Sequence, residues 1–123
     1  MLSDTFFEVL KHEGVVAIAT HGTESHLVNS WNSYIQVTDN HNLLIPAGGM
    51  HKTERNLSID NKVLLTLGSR EVNGKRGQPG TGFLVAGTAE ILSAGPHFDA
   101  VKKRFPWARG VLRVTIESVT QTL

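Results

Sequence analysis

The chain has no cysteine among its 123 residues. Disulfides, thiolate metal sites, cysteine-ligated iron–sulfur clusters and thiol nucleophiles are therefore excluded. The absence fits a reducing compartment without requiring one. Charge of one sign is equally scarce: twelve Lys and Arg face eleven Asp and Glu, for a formal net charge of +1. No broad field favours nucleic acid or an anionic membrane surface. No apolar run approaches the ~20 residues that span a bilayer. The opening MLSDTFFEVLKHEG is too acidic, and its apolar stretch too short, for a secretion signal. The expectation is a soluble, cytoplasmic protein that binds neither nucleic acid nor membrane.

Catalytic hardware is thin as well. The histidines (His12, His21, His26, His41, His51 and His97) form no H-x-x-x-H pair, so no metal site is expected. No nucleophile elbow appears, and no serine has an evident base partner. Carboxylates such as Glu8, Glu13 and Glu54 are scattered. If the protein does chemistry, a bound group is expected to supply it.

What is present describes one domain over residues 1–123, 40% hydrophobic and 19% charged. Ser3 or Asp4 can cap a short helix that carries Phe6, Val9 and Leu10 on one face and ends near Gly14. The β-branched run GVVAIATH reads as a buried strand, HGTES as a turn, and HLVNSWNSYIQVT as one second extended segment. NLLIPA is a third strand, MHKTERNLSID a short helix and KVLLTLGSREV a fourth strand. NGKRGQPGTG reads as a loop and FLVAGTAEILS as a fifth strand. Pro96 opens a helix with Phe98, Val101 and Phe105 on one face. The last strand alternates, with Leu112, Val114 and Ile116 inward. These elements predict a mainly β fold, a six-stranded antiparallel closed or half-closed barrel with short helices.

Three stretches carry chemistry. In PAGGMHKTERN, Gly48 and Gly49 permit close backbone approach or positive φ just before a helix start. Unpaired N–H groups there, with Lys52 and the Thr53 hydroxyl, compose an anion site. The glycine spacing is not that of a phosphate-binding P-loop, and the same residues serve equally as a turn, a surface charge and a helix cap. In NSWNSY, Trp31 and Tyr34 offer aromatic planes among amides and hydroxyls. A regular strand sends positions three apart to opposite faces, so both touch one ligand only across a bulge or at a strand end. In KKRFPWARG, the basic cluster suits a helix C-terminus, and Trp107 is either a core plug or a lid.

These motifs together resemble the small FMN-binding proteins of sulfate-reducing bacteria, within the split-barrel flavoproteins related to pyridoxamine 5′-phosphate oxidase. The resemblance runs nearly end to end through TFFEVLK, EGVVAIAT, HLVN, WNSY, GGMHKTE, TLGSR, PGTGFL, WAR and the final QTL. It implies a six-stranded split β-barrel and a homodimer, with one non-covalent FMN per subunit near the interface. It further implies that Ser30, Lys52 and Thr53 hold the phosphate and that Trp31, Asn32 and Tyr34 lie along the flavin. Ala47, Gly48, Gly49 and Met50 would line the ring with backbone, and Trp107 would cover part of it. Leu123 would reach the flavin of the other subunit, and Glu13 would stand near enough to tune it or serve only at the surface. Against the relative it resembles, the chain has Ser30 in place of a threonine, Ala47 in place of a valine and an extra residue in GQPGTG.

Three functions follow from this reading. The first is an electron carrier with a redox partner yet to be identified. The second is a flavin reductase or small FMN-dependent oxidoreductase fed by reduced nicotinamide. The third is a flavin-binding or storage module without turnover.

Overall fold

The computed structural model of the protein describes residues 2–123. Helix α1 (Asp4–Leu10) is capped by Ser3, whose Oγ accepts the Phe6 N–H at 3.2 Å. A hairpin follows, β1 (Val15–His21) and β2 (Ser25–Trp31), then a short 3₁₀ turn at Asn32–Tyr34 and strand β3 (Gln36–Val37). Strand β4 (Leu43–Ala47) leads into helix α2 (His51–Ile59). Strands β5 (Lys62–Asn73) and β6 (Pro79–Leu92), helix α3 (Pro96–Arg104) and strand β7 (Gly110–Gln121) complete the chain. All pairings are antiparallel, in one sheet of order β2-β1-β5-β6-β7-β4-β3.

The order of the sheet dictates its curvature. Strands β2 and β3 are its two edges. Laid flat, the edges of seven strands spaced ~4.8 Å apart stand ~29 Å from one another. The link from Trp31 to Gln36 reaches at most ~19 Å at 3.8 Å per Cα step. The sheet must therefore curl until its edges face each other, and the split in the barrel lies where the turn crosses.

The interior follows from strand parity. Phe6 and Val9 of α1 plug one cluster with Val16, Ile18, Leu65, Val85 and Leu112. Strand β4 is buried on both faces: Leu43 and Ile45 enter that cluster, while Leu44 joins Val101, Ala108 and Val111 under α3. This explains why LLIPA is an unbroken apolar run rather than an alternating one.

Two expectations are corrected. The barrel has seven strands, not six, because the segment 25–37 is broken at Asn32. The Asn32 N–H donates to the Gly14 carbonyl at 2.9 Å. Its side-chain Nδ2 donates to the carbonyls of His12 and Gly68, both at 2.9 Å. A short amide side chain that satisfies other backbone carbonyls competes with the ladder and ends the strand. The expected loop 73–82 shrinks to a turn over 74–78, since β5 runs on to Asn73 and Pro79 opens β6. A proline is tolerated at the first position of a strand, where its missing N–H is least needed. No helix among the described residues is long and apolar enough to cross a membrane.

Replacing Asn32 by alanine is expected to strip two half-buried carbonyls of their donor and to lower stability by about 2 kcal/mol, the low end of ~1–3 kcal/mol per orphaned group because water can reach both. Urea unfolding measures it; a loss below about 1 kcal/mol contradicts the assigned tie.

Candidate functional site

Where β2 ends, the 3₁₀ turn swings Tyr34 round to the side that Trp31 occupies. Both side chains then line one cleft of about 320 Å³ with Ser30 and Asn29. The parity problem is solved by a strand end rather than a bulge. The opposite wall is Pro46, Gly48, Gly49 and Met50, between β4 and α2, and Trp107 stands at its edge. Trp107 is 52% exposed, a rim residue and not a core plug. It packs on Tyr34 at 5.7 Å and on Phe105 at 5.6 Å, and Tyr34 meets Phe105 at 5.0 Å. Tilted and edge-on ring contacts of this kind hold an aromatic wall in a defined orientation.

The glycine pair acts differently from the expectation of positive φ. Neither Gly48 nor Gly49 has it; the left-handed residue is Met50, at φ 59°. A Cβ at Gly48 would stand 3.1 Å from Trp107 Cε3, so this glycine lets the indole lie on backbone. A Cβ at Gly49 would meet nothing within 4 Å and would project into free space. That free space borders the cleft.

Met50 precedes α2 without a side-chain cap, so the first N–H groups of the helix are unpaired. Thr53, in the first turn, is 1% exposed and its Oγ1 has no hydrogen-bond partner. A buried hydroxyl without a partner costs free energy unless something fills its place. Lys52 reaches back to Glu24 in the turn before β2, with Nζ 2.8 Å from Oε1. The Lys52 hydrogen bond and charge hold the Glu24 carboxyl below its ordinary pKa.

The remaining predicted residues lie elsewhere. Ala47 is fully buried at the end of β4. The Asn32 side chain turns away from the cleft to tie α1 and β5, as described above. Leu123 lies in a separate groove of about 480 Å³ with Glu13, Gly14 and Thr81. Glu13 touches the cleft only indirectly. Its Oε2 accepts the Ser33 hydroxyl at 2.7 Å and its Oε1 the Ser33 N–H at 3.1 Å, between the two residues whose rings line the cleft. The Ser33 hydroxyl, then its N–H, holds the Glu13 pKa below the ordinary carboxylate value.

Arg109 was legible only as part of the WAR motif. Its Nε donates to the Gly49 carbonyl at 2.8 Å, and its Nη2 stands 3.0 Å from Glu54 Oε1. Three other clefts, of about 390, 390 and 480 Å³, are larger, but none has a Trp, Tyr or Phe in its wall. Among the described residues no three His, Asp or Glu side chains gather as a metal site. The arrangement suits a flat aromatic ring against the glycine wall, with an anionic tail toward the start of α2.

Residues 2–123 match the family described as pyridoxamine 5′-phosphate oxidase. The chain belongs to that family. It is 57% identical, over the full length of both chains, to a protein of Nitratidesulfovibrio vulgaris Miyazaki F named FMN-binding protein. Among solved structures, HupZ of Group A Streptococcus superposes with a TM-score of 0.80 at 16% identity, covering 98% of this chain and 94% of that one. An FMN-binding protein of Syntrophomonas wolfei gives 0.67 at 16% identity, over 88% and 76% of the two chains. At such identities these two share the family's split-barrel fold, and the seven-stranded sheet described here is its form in this chain.

The Glu13–Ser33 contact predicts a pH dependence. A carboxyl with a depressed folded-state pKa stabilises above its unfolded value, and this is lost as pH falls through the folded value. Wild type is therefore expected to exceed Glu13→Gln in urea midpoint at neutral pH, with the difference vanishing in acid below the ordinary glutamate range. A difference that grows on acidification contradicts the contact.

Proposed function

We propose that this chain binds one non-covalent FMN per subunit and works as a small electron-transfer protein. The observation that carries the reading is the aromatic cleft adjoining the uncapped start of α2, where Thr53 keeps an unspent buried hydroxyl. The relative named FMN-binding protein, identical at 57% of positions, supports the same ligand. Bound there, the flavin supplies reversible uptake of electrons.

The residues divide the work by chemistry. Trp31, Tyr34 and Trp107 offer faces and edges to the ring system. Gly48, Gly49 and Met50 offer backbone without side-chain bulk between it and the ring. Lys52, Thr53, Ser30 and the first N–H groups of α2 meet the phosphate, which requires Lys52 to exchange Glu24 for the ligand. Asn32 acts from behind, holding the turn that presents Trp31 and Tyr34. Apart from the Tyr34 phenol, no cleft-lining residue carries an ionisable side chain. A cleft with the phenol as its one ionisable lining group suits a carrier better than an enzyme with acid–base machinery, and slow oxidation of reduced nicotinamide by the loaded protein is the expected counterpart.

A homodimer fits the outer face of the barrel. The register aligns Leu27, Ala19, Leu64 and Ala86 across four neighbouring strands. Leu27 is 66% and Leu64 49% exposed, with Val15 and Leu84 also open. A contiguous apolar row of this kind marks an association surface. Leu123, remote from its own subunit's cleft, is placed by the proposal against the cleft of the partner. Leu27→Glu with Leu64→Glu is expected to give monomers in sedimentation; dimers that persist would remove this face from the interface.

The cofactor assignment is tested by Lys52→Ala with Thr53→Ala. The double variant is expected to weaken FMN at least about tenfold more than riboflavin, a difference of ~1.4 kcal/mol. Titration by flavin fluorescence reads both affinities, and an equal loss for the two ligands would sink the phosphate assignment.

A further inference from the structure

The Gly49–Met50 peptide is held from one side only. Its carbonyl accepts Arg109 Nε at 2.8 Å. The same arginine anchors the strand below through its own N–H, which donates to the Ala47 carbonyl at 2.9 Å. It anchors the helix above through Glu54, 3.0 Å from Nη2. Arg109 thus fixes both ends of the glycine segment and the peptide between them.

A trans peptide points its C=O and N–H in opposite directions. With the Gly49 oxygen fixed on Arg109, the Met50 N–H is aimed the other way. Neither the Gly49 nor the Met50 N–H has an acceptor among the described residues. Both residues line the cleft. Met50 also sits at φ 59°, in the left-handed region, where a side chain other than glycine costs ~1–2 kcal/mol. Strain of that kind persists only where the surroundings over-determine the backbone, and it gathers at functional positions. Here the over-determining contacts are the Arg109 bond on one side and α2 on the other, with the Glu54 N–H donating to the Met50 carbonyl at 2.9 Å.

We propose that Arg109 is a positioning residue: it holds the Gly49–Met50 peptide so that the Met50 N–H donates into the cleft, to the acceptor edge of the bound flavin ring. This rests on the flavin reading above. Negative charge gathers on that edge when the ring is reduced, so a pre-aimed N–H favours the reduced ligand over the oxidised one. The guanidinium does not touch the ligand. Its Nε donates to the carbonyl while Nη2 stays within ion-pair distance of the Glu54 carboxylate, a spread of two nitrogens that a lysine ammonium cannot reproduce.

The test compares wild type, Arg109→Lys and Arg109→Gln, each loaded with FMN. Arg109→Gln is expected to bind reduced flavin about tenfold less well relative to oxidised flavin, a fall of ~30 mV in the two-electron midpoint potential. Arg109→Lys, which keeps the charge and loses the bridge, is expected to fall part of the way and guards against a glutamine variant that does not fold. The FMN-to-riboflavin affinity ratio is expected to stay unchanged, because Arg109 acts at the ring and not at the phosphate. In the oxidised proteins, the Met50 amide proton is expected to move downfield on FMN binding in wild type and to move less in both variants. A potential and a Met50 shift unchanged by substitution would overturn the role of Arg109 while leaving flavin binding intact. A changed FMN-to-riboflavin ratio would overturn it in favour of a phosphate contact. A wild-type protein that binds no flavin would overturn the assignment and the function it rests on together.

Discussion

One short link constrains the whole molecule. Strands β2 and β3 lie at opposite edges of a seven-stranded sheet, and only residues 32–35 separate them in the chain. The sheet has to curl to let that link close. Curling leaves a seam, and the seam is where Trp31 and Tyr34 emerge. Asn32 is the pin, fully buried and bonded to the backbone of two separate segments, the α1–β1 link through His12 and Gly14 and strand β5 through Gly68. The same residue that breaks the strand thereby sets the geometry of the cleft wall.

The second wall depends on backbone rather than on side chains. Gly48 gives up its Cβ to Trp107, and Gly49 leaves free space at the cleft. Met50 carries the left-handed turn that redirects the chain into α2. Around these residues stand two ion pairs and one hydrogen-bonded carboxylate, of different consequence. Arg109 bridges the turn to Glu54, Lys52 is drawn to Glu24, and Glu13 grips Ser33 behind the opposite wall. The Lys52 pair is exposed and weak by nature, which makes it exchangeable for a ligand anion. The Glu13 and Arg109 contacts bind to backbone, and so shape walls rather than contribute charge to the cleft.

Much of this was legible in the sequence, and the misses have physical causes. The alternation in β7, the Ser3 cap and the apolar run of β4 follow from local pattern and capping chemistry. The seventh strand was hidden because Asn32 finds its partners twenty and thirty-six residues away, beyond any local period. The turn 74–78 was overestimated because glycine and proline mark a strand start as readily as a loop. Of the predicted site residues, Ser30, Trp31, Tyr34, Gly48, Gly49, Met50 and Trp107 line one cleft, while Lys52 and Thr53 stand beyond its walls in the first turn of α2. Asn32 and Ala47 do not enter the cleft with their side chains, and Leu123 lies in another groove. Arg109 was missed because its importance lies in what it holds, and a carbonyl sixty residues earlier leaves no mark in the sequence. Full-length identity of 57% to a protein named FMN-binding protein, with the match of residues 2–123 to the family, ties the motif reading to a known kind of molecule.

The central claim is that the seam of this barrel holds a phosphorylated flavin. The most direct measurement is a visible absorption spectrum of the protein after incubation with excess FMN and removal of the unbound ligand. Retention of about one flavin per chain, with absorption bands shifted from those of free FMN by the surrounding rings, is the predicted result. A colourless protein would contradict the claim, and would mean that the cleft and the unspent Thr53 hydroxyl serve another ligand.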